Sequence, residues 1–277
     1  MRNINILFIM VILIFVSNST KSQVDTAPPP PRIPIPYTPL READVFWAKR
    51  IWRVVDMRQK INLPFYYPTT AINNRRSFMQ VLLDGIKEGS ITAYDPTSDE
   101  FLIPKTFEEF TKQFNKCDTI QIEIADPNNP GQVMYKDTLI CKNFNAAEVK
   151  KFRIKEDWFF DKQRSVMDVR ILGICPILDV YESDGVTFKY TMPLFWIYFP
   201  DCRGTFAQAE VYNRFNDAGR LSYEDVFFKR MFASYIYKET NVYDRYINDY
   251  SKGLDALLES ERIKDEIFTK EHDLWEY

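Results

Sequence analysis

Few side chains in this sequence are of the types that carry out catalysis or bind metals. His272 is the only histidine in 277 residues, so a Ser-His-Asp triad or a multi-histidine metal site would depend on it alone. Asp157, Asp161 and Asp168 could supply the paired carboxylates of a glycosidase, but the first two lie among aromatic residues on a predicted strand and its turn. The eight glycines form neither a phosphate-binding loop nor a Gly-x-Ser-x-Gly elbow. The sequence therefore predicts a protein that is not an enzyme and has no cofactor-binding or metal-binding residues.

The four cysteines lack the spacing of a metal site, but two of them are placed symmetrically. Cys117 and Cys141 lie equally far from Asn129, outside segments 119–124 and 133–140, whose alternating polarity predicts two strands of a hairpin. We expect the two cysteines to face each other at the open end of this hairpin. They can form a disulfide there or remain two buried thiols, and the spacing does not decide between these states.

Composition and charge indicate the class of partner. The formal net charge of −3 and the absence of a concentrated basic face argue against a nucleic-acid partner. Aromatic residues make up 16% of the chain, more than a single core usually needs. Tyrosine and tryptophan combine apolar area with a polar group, so this excess favours surfaces that bind other proteins.

The first residues resemble a secretory signal. Arg2, an apolar run over residues 6–16 and small polar residues over 17–22 follow the usual order of such a signal, and we expect cleavage after Ser22. The apolar run is too short for a comfortable membrane span, and no cysteine lies near the cut to carry a lipid. We therefore expect an exported, soluble chain without an anchor of its own.

Residues 23–41 are predicted to form an extended proline-rich arm. A polyproline II segment of its central twelve residues would reach about 37 Å and would lose little entropy on docking. Apolar residues alternate with prolines in it, which a plain spacer, the other interpretation, does not need. We expect the arm to lie on a neighbouring subunit and not on its own domain. The predicted contact residues are Pro28, Pro29, Pro30, Pro31, Ile33, Pro34, Ile35, Pro36 and Tyr37.

Residues 42–277 are predicted to form one domain, with a helical region from about residue 201. An apolar stripe predicts a helix over residues 42–62, and its Trp47 and Trp52 are further candidate partner contacts. Capping-box spacing predicts helices that begin at Thr106 and Ser222. The remaining predicted elements are helices over 75–87 and 254–269 and strands over 91–94 and 149–160.

A long β-hairpin over residues 166–200 is the predicted centre of the sheet. Alternate residues are apolar on both sides of Asp184-Gly185, a pair that favours a type I′ turn. The register of that turn places Gly173 opposite Trp196. Pro176 and Pro193 remove donors to outer strands, so we expect a bulge or short neighbouring strands beside them. The predicted fold class is α+β, with an antiparallel sheet packed against N-terminal and C-terminal helices.

Several longer motifs are distributed along the chain. They are Phe46-Trp47-Ala48-Lys49-Arg50-Ile51-Trp52, Asp157-Trp158-Phe159-Phe160-Asp161, Ile171-Leu172-Gly173-Ile174-Cys175-Pro176, Phe195-Trp196-Ile197-Tyr198-Phe199-Pro200, Asn241-Val242-Tyr243-Asp244-Arg245 and Glu271-His272-Asp273-Leu274-Trp275-Glu276. With these motifs the chain resembles the GldN (also PorN) family of bacterial gliding motility and type IX secretion proteins. The signal and the arm resemble that family only in kind.

The resemblance implies a role in a large assembly. It implies a non-enzymatic structural subunit of a periplasmic ring, assembled with the outer-membrane lipoprotein GldK and reached by the periplasmic part of GldM. It also implies contact with other ring subunits and an indirect association with the outer membrane through the lipoprotein. The family supplies no catalytic residues. A periplasmic enzyme or a small-molecule binding domain is the alternative.

The symmetry about Asn129 motivates the hypothesis that Cys117 and Cys141 form a disulfide. A bridge that closes a loop of about 25 residues would stabilise the fold by about 3 kcal/mol in the chain-entropy model. When the unreduced protein is unfolded in iodoacetamide, Cys117 and Cys141 should stay unalkylated. Mass spectrometry should then detect the two peptides linked by the disulfide. A sample reduced first is the control. Alkylation of both cysteines without reduction would contradict the prediction.

Overall fold

A large antiparallel sheet organises the computed structural model, which describes residues 31–72, 75–114, 116–125, 133–142, 144–182, 187–216 and 218–275. Residues Arg32–Tyr277 form one compact unit, distinct from Met1–Pro31. The predicted signal over 1–22 and the first three arm prolines lie outside the described residues. Within the described ranges, no helix is both long enough and apolar enough to cross a membrane.

The regular elements are strands, several short helices and one long helix. The strands are β1 (Val45–Asp56), β2 (Ala93–Tyr94), β3 (Pro104–Lys105), β4 (Lys116–Ala125), β5 (Val133–Lys142), β6 (Lys151–Asp161), β7 (Val166–Tyr181), β8 (Phe188–Pro193), β9 (Trp196–Tyr198), β10 (Glu210–Val211), β11 (Leu221–Ser222) and β12 (Tyr235–Glu239). The helices are α1 (Leu63–Tyr66), α2 (Phe78–Glu88), α3 (Phe107–Phe114), α4 (Phe199–Gln208), α5 (Tyr223–Phe228), α6 (Ile247–Tyr250) and α7 (Leu254–Trp275).

Eight strands form the main sheet in the order β12-β1-β6-β7-β9-β2-β3, with β8 also paired to β7. Every pairing in it is antiparallel. The pairs β4–β5 and β10–β11 form two small separate sheets. The α+β class and the antiparallel sheet are therefore as predicted.

The predicted helix over 42–62 is wrong, because most of that segment is strand β1. Its sequence is rich in β-branched and aromatic residues, which suit a strand. The strand lies between β6 and β12, and residues Ile51–Val55 are buried in succession. A strand that is buried on both faces shows a continuous apolar run. That run also satisfies the spacing of a helical stripe, so the pattern alone did not discriminate between the two.

The central hairpin forms, but its register shifts twice from the predicted one. Tyr181 pairs with Phe188 as the turn requires, and a bulge then displaces the pairing by one residue. A second displacement, where the chain leaves β8 and enters β9, places Gly173 opposite Tyr198. The predicted pairing of Gly173 with Trp196 is therefore wrong. The expected irregularity beside Pro176 and Pro193 is present.

The prediction that the chain is helical from residue 201 onward is wrong in part. Helix α5 ends at Phe228, and Arg230 then has a φ of 52° at the turn that redirects the chain. Strand β12 follows and pairs with β1 at the edge of the main sheet. Only α7 continues as a long helix, over 22 residues.

A buried charge cluster connects the middle of the sheet to this turn. Glu156 on β6 has a fully buried side chain. Its carboxylate lies 3.2 Å from Nε of Arg53 and 3.0 Å from Nη1 of Arg230, and it accepts a 3.0 Å hydrogen bond from Trp158 Nε1. Burial lowers the pKa of Arg53, and the charge of Glu156 opposes that shift. The cluster thus joins β1, β6 and the turn before β12.

The largest core cluster lies where α2, α4 and α5 pack against β6 and β7. Phe78 of α2 is fully buried, and its ring lies within 5.8 Å of five other aromatic rings. Those rings belong to Phe65, Phe152, Phe206, Tyr223 and Phe227. A second cluster joins β1 and β12 to α6 and α7 through Ile51, Ile236, Ile247, Ile263 and Ile267. Part of the aromatic excess is thus used in the core.

Both predicted capping boxes are present. Thr106 and Glu109 exchange hydrogen bonds of 3.1 and 3.4 Å at the start of α3. Ser222 and Asp225 do the same at the start of α5. Since a capping box depends on four consecutive residues, it could be identified without knowledge of the tertiary fold.

Phe101, rather than Trp196, lies over Gly173. A Cβ at position 173 would lie 2.7 Å from Cε1 of Phe101 and 3.0 Å from the carbonyl oxygen of Ile197. We predict that Gly173→Val destabilises the protein by about 1–3 kcal/mol, the range for an overpacked core. Thermal unfolding measures this effect.

Gly204 in α4 is the matched control, since a Cβ there meets nothing within 4 Å. Gly204→Ala should be neutral or stabilising by up to about 1 kcal/mol, because alanine is the better helix former. An unchanged melting temperature for Gly173→Val would show that the Phe101 ring does not occupy this position.

Candidate functional site

The aspartates considered as catalytic candidates are held in ion pairs. Asp157 accepts hydrogen bonds of 2.6 and 3.0 Å from the guanidinium of Arg50. Asp161 accepts a 2.8 Å bond from Arg164, and this bond holds the pKa of Asp161 below its usual range. Asp168 also pairs with Arg164, at 3.3 Å. These carboxylates are arranged as structural ion pairs, whereas a general acid needs a raised pKa.

Two buried cysteines, Cys175 on β7 and Cys202 on α4, have little of the reactive thiolate form. Cys175 and Cys202 are free and buried, and burial raises the pKa of each thiol to about 12. The thiolate, which is the reactive form, is therefore negligible at neutral pH. Cys117 and Cys141 are partners in the β4–β5 register, as predicted. Their side chains lie outside the described part of the structure, so the disulfide stays a prediction. Within the described part, no group of three or more His, Cys, Asp or Glu side chains could hold a metal ion.

Trp47 and Trp52 lie on strand β1 and not on a helix. Trp52 is only 8% exposed, packs with Cys175 and Trp196, and donates a 2.7 Å hydrogen bond to Asp99. Trp47 is partly buried against the cluster beneath α7. Trp52 is therefore a core residue and is not available to a partner.

The end of the proline-rich arm lies on its own domain. The guanidinium carbon of Arg203 lies 4.0 Å from the centroid of the Tyr37 ring, and that of Arg170 lies 5.3 Å from it. Arg203 also donates a hydrogen bond to the carbonyl oxygen of Ile35, and Arg170 donates one to that of Thr38. Burial raises the pKa of Tyr37, so the ring stays neutral between the two cations. Two arginines thus bind both the backbone and the aromatic side chain of the arm.

A buried ion pair orients the arginine that holds the arm. The side chains of Arg203 and Glu224 are each 7% exposed, and their guanidinium and carboxylate groups form a short, hydrogen-bonded contact. Arg32 adds a 2.9 Å bond to Asp225 on the same helix, α5. The expectation that the arm does not lie on its own domain is therefore wrong for residues 32–38.

Other side chains of the same segment point away from the domain. Ile33 is 87% exposed and Ile35 is 62% exposed, whereas Tyr37 is half-buried. Pro31 and Pro36 are also exposed, and Pro34 is half-buried. The structure therefore divides the predicted set: Tyr37 contacts its own domain, whereas the side chains of Ile33 and Ile35 are exposed. Pro28, Pro29 and Pro30 lie outside the described residues.

A second apolar surface was not predicted from the sequence. We call it the α1 groove, and it comprises two adjoining cavities of about 450 and 440 Å³. Its apolar lining includes Leu63, Pro64, Tyr67, Ile72, Tyr212 and Phe215, and its rim carries Lys60, Arg75 and Arg214. Phe215 is 82% exposed, and Tyr67 and Ile72 are each 55% exposed. The cluster of prolines and aromatics over 63–68 was the one signal for it.

A tight loop displays a third set of exposed apolar side chains. The side chain of Asn241 donates to the carbonyl oxygens of Glu239 and Arg245 and accepts from the backbone amides of Tyr243 and Arg245. These bonds hold the loop in one conformation. Val242 is 97% exposed and Tyr243 is 76% exposed. An ordered loop that holds apolar residues in solvent is typical of a binding surface.

A family model described as "Gliding motility associated protein GldN" matches residues 40–276. The chain belongs to this family. The match includes every strand and helix of the GldN-family chain, the α1 groove and the Asn241 loop, whereas the arm up to Pro39 precedes it. The resemblance seen in the sequence motifs is confirmed. No curated protein matches the chain.

The Tyr37 contacts predict that one substitution releases the arm. Tyr37→Ala removes the ring between Arg203 and Arg170, and we expect the local stability of residues 32–38 to fall by about 0.5–2 kcal/mol, the range for cation–π contacts. Hydrogen–deuterium exchange of this segment, together with tryptic cleavage after Arg32, measures the release. Ile35→Ala, whose side chain points into solvent, is the control. Equal protection of the segment in Tyr37→Ala and the wild type would refute this anchoring.

Proposed function

We propose that this GldN-family chain is a non-enzymatic structural subunit of the periplasmic ring of the type IX secretion and gliding motility machinery. It assembles with the outer-membrane lipoprotein GldK and with other ring subunits, and the periplasmic part of GldM contacts the ring. The family match over residues 40–276 is the observation that carries the proposal. The signal-like segment over residues 1–22 supports export to the periplasm.

The distribution of exposed apolar residues supports a role in assembly. The outer side of the arm, the α1 groove and the Asn241 loop expose apolar residues at three separate places. A ring subunit needs distinct surfaces for two neighbours and for the protein that attaches it to the membrane. An enzyme would instead concentrate its functional groups in one pocket.

The paired charges of a polar cleft on the main sheet also fit a structural role. This cleft, of about 670 Å³, lies beside Trp47. Three of its four lining cations have acidic partners: Lys49 pairs with Glu239 at 2.7 Å, Arg50 with Asp157 at 2.6 Å and Lys238 with Asp244 at 2.6 Å. These pairs leave little net charge with which to select a small ligand. The cleft therefore gives no specific support to the alternative of an enzyme or a small-molecule binding domain.

Membrane association should depend on the lipoprotein. In cells that lack GldK, we expect this chain to move from the outer-membrane fraction to the soluble periplasmic fraction, because it would be anchored only through that partner. Quantitative immunoblotting of both fractions measures the shift, and re-expression of GldK should reverse it. If the chain stays with the outer membrane without GldK, the proposed attachment is wrong.

Co-purification with GldK tests the outer side of the arm. Ile33→Asp combined with Ile35→Asp changes two exposed side chains and should leave the fold intact while lowering recovery with GldK. Phe188→Asp, which alters a 53% exposed apolar residue on β8, is the matched control. Unchanged recovery of the arm variant would show that the arm serves only as a spacer on this domain.

A further inference from the structure

The lining of the α1 groove is complementary to a segment that carries negative charges and apolar side chains. No aspartate or glutamate is present among its described lining residues. Its cations lie close to its rings: Cζ of Arg75 is 5.8 Å from the centroid of the Tyr212 ring, and Cζ of Arg214 is 6.0 Å from that of Phe215. In the described part of the chain, neither arginine forms an ion pair. An acidic segment with aromatic residues would complement both features.

The last residues of this chain have that composition. The segment 271–277 reads Glu271-His272-Asp273-Leu274-Trp275-Glu276-Tyr277, with three carboxylates and three apolar or aromatic side chains. We call it the tail. Among the described residues 268–274, none is buried, and Phe268 just before the tail is 69% exposed. The tail therefore has the chemistry that the groove lacks, and the turns of α7 that lead to it lie at the surface.

The path of α7 leads away from the groove of its own copy. Ser260 accepts a hydrogen bond from the backbone amide of Ile236, the β12 residue that pairs with Arg53. Six residues later, the carboxylate of Glu266 lies 4.0 Å from Nζ of Lys49. Helix α7 therefore runs toward the start of β1, while the groove begins with Lys60, beyond the end of β1. Strand β1, from Val45 to Asp56, spans about 36 Å at about 3.3 Å per residue.

We propose that the tail of one copy binds the α1 groove of the next copy. Because the two surfaces differ and lie at opposite ends of β1, the contact is head-to-tail, and repeated contacts of this type close into a ring or extend as a filament. Leu274 and Trp275 enter the apolar cavities, and the tail carboxylates face Arg75 and Arg214. The inference rests on the proposed ring function and supplies one of its subunit contacts.

A labelled peptide of residues 268–277 tests the contact directly. It should bind the purified full chain in a fluorescence anisotropy titration, and a scrambled peptide of the same composition should not. Arg214→Glu combined with Phe215→Glu should weaken binding at least tenfold, because it removes one cation and one exposed ring from the groove. Phe188→Glu is the control and should bind as the wild type does. Equal affinity for both peptides, or full affinity in the groove variant, would overturn the proposal.

Complementation between variants tests the head-to-tail geometry. The groove variant and a tail variant, Asp273→Lys with Trp275→Ala, should each sediment as monomers under conditions in which the wild type self-associates. Their equimolar mixture should form dimers and nothing larger, since only one intact groove and one intact tail can meet. Glu261→Lys on the surface of α7 is the tail control. A mixture that stays monomeric while the wild type self-associates would overturn the proposal.

Recovery with GldK separates this inference from the proposed function. The groove variant should lose self-association but still be recovered with GldK. If it loses GldK while its affinity for the tail peptide is unchanged, the groove is a lipoprotein site and the tail proposal fails. If the wild-type chain is not recovered with GldK at all, the proposed attachment fails whatever the peptide result.

Discussion

The buried carboxylate of Glu156 is the constraint on which the path of the chain depends. An anion without solvent contact must be neutralised within the protein, and here Arg53 and Arg230 approach it from β1 and from the turn after α5. Loss of one partner from such a buried group typically costs about 3–5 kcal/mol. Arg230 also adopts a φ of 52°, so the same residue both redirects the backbone and pairs with the charge. The chain can then run back along β1 as β12, and α7 covers that edge of the sheet.

Local signals in the sequence predicted local structure well. The capping boxes at Thr106 and Ser222, the β4–β5 register and the class of the sheet all depend on residues that are close in sequence. Strand β1 was misassigned because two of its contacts come much later in the chain. Strand β12 pairs with its edge, and α7 covers one of its faces. The register of the hairpin was predicted wrongly for a related reason. A turn fixes only the nearest pairs, whereas each bulge further along, such as that at Val180, depends on the neighbouring strands.

For the candidate surfaces, too, the sequence indicated local features but not the contacts that the tertiary fold creates. Alternation along the arm indicated that Ile33, Ile35 and Tyr37 would make contacts, but it could not show that Arg203 and Arg170 bind Tyr37 within the same chain. The α1 groove combines residues 60–75 with residues 211–231, and neither segment by itself shows that the two will meet. Its apolar lining and basic rim arise only when the fold brings the segments together.

Strand β1 has a mechanical consequence for a protein of a motility-associated family. Its ladder with β6 runs from Val45 opposite Asp161 to Asp56 opposite Lys151, and β12 adds a second ladder on its other side. A tensile load applied along this strand acts at right angles to the hydrogen bonds of both ladders. The bonds would then be sheared together, whereas a pull across the sheet would unzip them one after another. The sheet is therefore stiffest along the direction of its strands and most easily opened across them.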